Sequence, residues 1–367
     1  MLYRRTCLVV CVLVAAGAAY GFNAEDLIKD LNTQTGHKQL EAALRLGDFN
    51  YPEVITALSD KLDDTETDAT IRAGCARSLA KLNSPSTYPM IESLAKKAEE
   101  KAVVRTACVQ SMAAMKGEEV IDTLVGMLKT EENVLVRREV ERTLGGMRDT
   151  QRVSVAVTPL LTDDTAAPSA IIVLGSVGGP GVIAPLAKQL ESPTARIRWA
   201  VIRAIGGIVH PDSVPPLLAF YPKANDAEKS QILAVFSQHP HPDVIELLIN
   251  ELQNRKTFAP LRRRSALTLG LLQAPAAVRP LVAVMLDTTE QTGLRMTCAQ
   301  SLGQFSDRED YAIAGLIGAL ADKRIAETAS LSLARVTKRY FGKDKEKWTA
   351  WFEKWRRQRA RNPNARP

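Results

Sequence analysis

Ile197-Arg198-Trp199-Ala200-Val201-Ile202-Arg203-Ala204-Ile205-Gly206-Gly207-Ile208 is the clearest copy of a pattern that recurs along almost the whole chain. Its landmarks are an apolar residue followed by Arg, a small or aliphatic residue three places later, then a large apolar anchor followed by Gly, Ala or Ser. The same order occurs in Ile71-Arg72, Cys75, Leu79-Ala80, in Val104-Arg105, Cys108, Met112-Ala113, and in Val136-Arg137, Val140, Leu144-Gly145. It returns in Leu261-Arg262, Ser265, Leu269-Gly270 and in Leu294-Arg295, Cys298, Leu302-Gly303. The anchors fall at Leu46, Leu79, Met112, Leu144, Leu174, Ile205, Phe236, Leu269, Leu302 and Leu333, and successive gaps run from 30 to 33 residues. A period of this regularity specifies a solenoid, in which each unit buries its apolar face only by stacking on its neighbours.

This period overrides the prior of two or three compact domains that 367 residues would otherwise suggest. Each Arg-containing helix, such as Ala69 to Leu82, should place positions 71, 75, 78, 79 and 82 on one buried stripe. After it come a turn and a second helix, often marked by Pro-Leu as in Pro159-Leu160, Pro185-Leu186, Pro216-Leu217 and Pro280-Leu281. Such a Pro is harmless in a first turn and bends the helix if it lies deeper. The residue after every anchor is small (Gly47, Ala80, Ala113, Gly145, Gly175, Gly206, Ser237, Gly270, Gly303, Ala334), as close approach of a neighbouring backbone would require.

The Val-Arg, Ala, Leu-Gly helix, the Pro-Leu helix before it and the acidic turn residues Asp64, Glu191 and Asp287 resemble HEAT repeats, including the HEAT-like units of bilin lyases, over about Gly36 to Val336. The resemblance implies an all-α fold, a right-handed α-α superhelix of about ten helix pairs, with Arg helices on the concave side. It also implies a ladder of Asp/Arg contacts between layers. Gln39, Ala167, Lys229 and Ala326 stand where four repeats would carry the Arg, so the ladder should be interrupted there. HEAT motifs specify fold strongly and function hardly at all.

Arg4-Arg5, the apolar run from Cys7 to Ala16 and the small residues up to Gly21 have the three-part layout of a secretory signal peptide, with cleavage near Gly21. The expected organisation is a signal peptide over 1–21, an N-terminal capping helix over 22–36 and the repeat array over 37–337. An aromatic capping helix over 338–358 and a basic disordered tail over 359–367 follow. The stretch from Arg335 to Pro367 holds twelve Lys or Arg and three Asp or Glu, a net of +9; with +7 overall, the first 334 residues sum to −2. The basic character therefore belongs to the tail. Trp348, Trp351, Phe352 and Trp355 follow helical spacing, and their expected role is to seal the last layer, with binding to an anionic surface as an addition.

Little in the chain supports catalysis. Cys75, Cys108 and Cys298 share one repeat position, four before the anchor, and layers about 8–10 Å apart cannot bring two of them within the roughly 7 Å that a disulfide requires. They are expected to be small buried thiols. His210-Pro211-Asp212 and His241-Pro242-Asp243 occupy one turn in successive repeats, with Asp the expected cap and no shared metal. Gly175 to Gly181 looks like a phosphate loop but lacks the Lys-Ser/Thr ending and follows a helix.

Positions two and six after the apolar residue preceding Arg face away from the buried stripe. They carry Arg77, Gln110, Arg138, Arg142, Trp199, Arg203, Arg263, Met296 and Gln300, a set suited to carboxylates or an extended acidic peptide. The sequence thus predicts a secreted or periplasmic, non-catalytic interaction scaffold that takes a protein or acidic peptide along this face. No cofactor, metal, nucleic acid or small-molecule substrate is expected. The alternative is an envelope-associated protein held to anionic lipid or polysaccharide by its tail, and third a bilin-lyase-like enzyme.

Overall fold

A computed structural model describes residues 23–115, 119–305 and 310–361. The signal-peptide stretch and the last six residues lie outside the described residues. Among the described residues there is no strand: α-helices joined by turns and short 3₁₀ segments form ten consecutive pairs and one additional C-terminal helix. The chain divides into two compact units, one ending at Val177 and the other starting at Gly178, and each contains five pairs.

In the first unit the pairs are Ala24–Thr33 with Gly36–Leu46, Pro52–Asp63 with Ala69–Leu82, Tyr88–Lys96 with Ala102–Ala114, Glu119–Thr130 with Val134–Gly145, and Thr150–Val157 with Ala167–Val177. The N-terminal helix, expected as a separate cap, is the first member of the first pair. Asn23 caps it by accepting from the Asp26 amide at 2.6 Å, and Leu27 and Leu31 are buried. In the second unit the pairs are Ile183–Lys188 with Ala195–Gly207, Val214–Phe220 with Asp226–Val235, Pro242–Gln253 with Ala259–Leu272, Val278–Leu286 with Thr292–Leu302, and Asp310–Ala319 with Ala326–Thr337. Lys345–Arg361 follows, running three residues past the boundary expected at 358.

Every one of the ten anchors has no solvent-exposed surface. The stripe predicted on Ala69–Leu82 is nevertheless too narrow. Ala73, Gly74 and Ala76 are buried as well, Leu82 is only half-buried, and from Ile71 to Ala80 Arg77 alone is exposed. This helix packs against its pair partner and against the anchor helices of both adjacent layers, so three of its sides are covered. Small residues are therefore needed on its flanks, and the flanks supply them.

Close approach is measurable at the position after the anchor. A β-carbon on Gly270 would lie 2.7 Å from the Ser301 Cβ and 2.8 Å from its Cα; one on Gly145 would lie 2.7 Å from the Ser176 Cβ, and one on Gly206 2.4 Å from Val235. No side chain fits there without moving a neighbouring helix. The residue before the anchor completes the layer contact. Ser78 donates to the Ala43 carbonyl (2.7 Å), Ser111 to Ala76 (2.8 Å) and Thr268 to Leu233 (3.1 Å), each reaching back 35 residues.

The prolines act as their depth dictates. Pro185, Pro216 and Pro280 fall in the first turns of their helices, whereas Pro159 follows Thr150–Val157 inside a 3₁₀ segment, Thr158–Thr162. Leu160, Leu186, Leu217 and Leu281 after them are all buried.

Candidate functional site

The arginines of the repeat motif are structural. Arg72 donates through Nε to the Leu62 carbonyl at 2.8 Å, closing the end of the preceding helix, and its two terminal nitrogens grip Glu100 at 2.8 and 2.7 Å. Arg262 repeats this with Leu252 (2.9 Å) and Glu290 (2.8 Å twice), and Arg295 with Met285 (2.8 Å) and Asp322 (2.6 Å). Arg105 binds the Ala95 carbonyl (2.9 Å) and Glu131, and Arg198 reaches Glu228 at 2.8 Å. A ladder is present, but its acids are Glu100, Glu131, Glu228, Glu290 and Asp322 of the following repeat. The expected acids are engaged elsewhere: Asp64 accepts from Thr67, Glu191 pairs with Lys223, and Asp287 pairs with Arg255. In Arg72, Arg105, Arg262 and Arg295 the Nε is committed to a carbonyl of its own repeat, so the guanidinium fork points forward and meets a carboxylate four to six residues before the next Arg position, whereas Arg198 turns its Nε to Glu228 and its Nη1 to the Ser192 and Pro193 carbonyls.

Interruption follows the substitutions only in part. Gln39, in the place of an Arg, still donates to the Leu31 carbonyl at 2.8 Å, so it keeps the helix-closing half of the role. Ahead of Ala167, Arg137 donates instead to the Glu131 carbonyl, while Asp163 accepts from the Thr165 and Ala166 amides.

The histidine turns differ from expectation in which residue caps. His210 and His241 are themselves the N-caps, each accepting through Nδ1 from the Asp212 or Asp243 amide at 3.2 Å. The intervening Pro occupies the first position of the segment, which leaves the Asp as the donor of the backbone N–H. Gly178 and Gly179 of the glycine-rich stretch adopt φ of +69° and +82° in a turn before Pro180–Val182. The thiols of Cys75, Cys108 and Cys298 are free and fully buried; burial pushes each up to about 12.

The expected partner-binding residues fall in both units. In the first, Arg77, Arg138 and Arg142 are exposed and Gln110 is half-buried; Arg77 reaches the Gln110 amide oxygen at 3.5 Å, and Arg142 is paired with Glu139 on its own helix. In the second, Trp199, Arg203, Arg263 and Gln300 are exposed and Met296 is half-buried. Arg138, Arg203 and Arg263 have no ion-pair partner among the described residues.

Sequence reasoning overlooked a hollow on the anchor helices of the second unit. It measures about 420 Å³ and crosses four consecutive anchor helices, lined by Ala234, Ser237, Arg264, Leu267, Thr268, Leu271, Gln300, Ser301, Gln304 and Arg335. Only Gln300 was foreseen. The signal lay two residues before the anchor, where Leu44, Arg77, Gln110, Arg142, Ile172, Arg203, Leu267, Gln300 and Leu331 are long and Ala234 alone is small.

At the C-terminus Trp348 is fully buried, Phe352 and Trp355 nearly so, and the Trp348 indole donates to the Gly342 carbonyl at 2.9 Å. Trp351 is only half-buried and stacks on Trp355, with centroids 5.9 Å apart and planes at 9°. Arg359, expected in a loose tail, is in the helix, pairs with Asp310 and lies 5.3 Å over the Trp355 ring. A second cleft, about 650 Å³, brings Lys338, Arg339 and Lys354 together with Tyr340, Phe341 and Trp351.

Comparison with known proteins agrees with this geometry. The family model of HEAT repeats matches residues 24–113 and 163–236. No curated protein matches the sequence. Among solved structures, the chain is similar to Kap95 of the Kap95:Nup1 complex, with a TM-score of 0.60 and 13% identity over 86% of this chain and 51% of that chain. It is also similar to the karyopherin Kap121p bound to the extreme C-terminus of the protein phosphatase Cdc14p, with a TM-score of 0.55 and 11% identity over 89% of this chain and 43% of that one. The chain thus spans about half, or less, of the proteins it superposes on. The phycocyanin lyase complex of CpcE and CpcF from Nostoc sp. aligns at 18% identity over 81% of this chain and 95% of that chain, but its TM-score of 0.28 is too low to bear on the fold. The fold is all-helical and of the HEAT-repeat solenoid class.

Proposed function

We propose that this chain is an exported, non-catalytic scaffold that binds a protein partner through the exposed face of its anchor helices. The observation that carries this reading is a division of labour among the arginines. Arg72, Arg105, Arg262 and Arg295 of the motif are buried and ion-paired, whereas Arg138, Arg203 and Arg263 project from anchor helices with no carboxylate to neutralise them among the described residues. Exposed guanidiniums held on rigid helices suit planar recognition of carboxylates on an acidic segment. Kap95 and Kap121p, which share the fold, are complexed with protein partners in their structures, and this supports the reading. The non-catalytic part rests on thiol chemistry: a nucleophilic cysteine needs a lowered pKa and access, and the described thiols have the opposite environment. Export follows from the N-terminal pattern of charged, apolar and small residues.

Cross-linking in the exported fraction, followed by purification of the captured protein, tests the scaffold. Arg203→Glu with Arg263→Glu should weaken binding to that partner at least tenfold while leaving the helical circular-dichroism signal intact; unchanged affinity overturns the reading. N-terminal sequencing of exported material should begin near residue 22, and a retained Met1 rejects cleavage.

A second reading is favoured by the C-terminal cleft, where three cations stand beside the exposed Tyr340 and the half-buried Phe341 and Trp351. It predicts sedimentation with vesicles containing anionic lipid, or with an anionic polysaccharide, that Lys338→Glu with Lys354→Glu abolishes.

A further inference from the structure

We infer that the hollow that opens beside Ala234 is the seat for one large apolar side chain of a peptide segment in which acidic residues flank that side chain; the inference rests on the protein-binding reading above and specifies where and what it binds. Its origin is legible residue by residue. Two places before every other anchor a long side chain covers the helix face, but at Ala234 only a methyl remains, and Ser237 just beyond the anchor Phe236 is also small. The missing volume is walled by Leu267 and Leu271 of the next anchor helix. These are 42% and 62% exposed and give the hollow an apolar wall. About 420 Å³ lies in the range of small binding sites and takes a leucine-sized or phenylalanine-sized group.

Two further features say what surrounds that group. Arg264 and Arg335 line the hollow from helices two layers apart, both exposed and neither with an ion-pair partner among the described residues. Carboxylates on both sides of the seated residue would meet them. Ser301 lines the same hollow, 2% exposed, with its hydroxyl against Gly270 of the preceding anchor helix. Gln300 and Gln304 beside it add amide groups able to pair with an extended backbone. Lipid is a poor match, because amides and guanidiniums border the apolar floor on two sides.

The test uses the full chain and three fluorescein-labelled, end-blocked peptides: Asp-Asp-Leu-Asp-Asp, the same with Ala replacing Leu, and the same with Asn replacing each Asp. Anisotropy should show binding of the first and at least tenfold weaker binding of the other two. Ala234→Leu fills the seat and should abolish discrimination between the Leu and Ala peptides. Arg264→Glu with Arg335→Glu, both on the surface and so without risk to the fold, should remove preference for the Asp peptide and the salt dependence of binding. Equal binding of all three peptides by the unaltered protein overturns the inference, as does unaltered selectivity in both variants. The two readings fail separately. Capture of a purified partner that Ala234→Leu leaves unchanged, but that Arg203→Glu with Arg263→Glu abolishes, overturns the hollow and keeps the scaffold. Selective peptide binding lost in Ala234→Leu supports the hollow whatever becomes of Arg203 and Arg263.

Discussion

The Arg262 guanidinium shows what one residue contributes to a layer. It closes the preceding helix through Leu252 and holds Glu290 in a two-pronged contact, with both side chains less than a tenth exposed. Arg262→Met should therefore cost about 3 kcal/mol, the low end for breaking a buried pair, because Arg255 still reaches Glu290 at 3.3 Å. Arg255→Ala, at a 60% exposed side chain, should cost less than about 1 kcal/mol. Denaturant melts of the two variants check the contrast. Gly270→Ala tests the small-residue rule: its methyl would press on the Ser301 backbone, and the expected loss is about 1–3 kcal/mol. Cys75, Cys108 and Cys298, held protonated by burial, should resist a disulfide reagent at pH 8 in the native state and all react once denaturant is added.

Among elements, the final helix has two faces with opposite roles. Trp348→Ala removes a fully buried indole and its hydrogen bond to Gly342, and should cost about 3–5 kcal/mol. Trp351→Ala, on the half-buried side, should change the melting temperature little while weakening any ligand of the cleft formed with Lys338 and Tyr340. Equal destabilisation by the two would mean that the whole helix serves as a cap. Helical spacing marked all four aromatics as one set; it could not divide them, because the division depends on which side Asp310–Ala319 covers.

For the molecule as a whole, the ladder predicts acid sensitivity. The carboxyl of Glu290 is held below its ordinary value chiefly by Arg262, and that of Asp322 by Arg324 and then Arg295; Glu100 is lowered too, since its pairing with Arg72 and the Lys101 amide outweighs the opposing effect of burial. A depressed carboxylate stabilises the folded state fully above its unfolded pKa, about 4, and this contribution disappears as pH falls through the lower folded value. Thermal melts should be flat from about pH 7 to 5 and drop steeply below about pH 4. In Arg262→Met the drop should be shallower; an identical slope would sink the attribution to the ladder.

The sequence by itself determined the repeat and its fold class. Ten anchors at gaps of 30–33 residues are all without exposed surface, because one-dimensional stacking turns periodicity directly into burial. It also marked the exposed arginines, since helical geometry alone places them opposite the stripe. What only tertiary structure decided is which groups meet between layers. Arg72 could have met Asp64 or Glu100, both acidic and near in register, and the commitment of its Nε to the Leu62 carbonyl selects Glu100. The hollow at Ala234 belongs to the same class, because an alanine in the sequence reads as a good helix former and becomes a cavity only when Leu267, Ser301 and Arg335 arrive around it from three other helices.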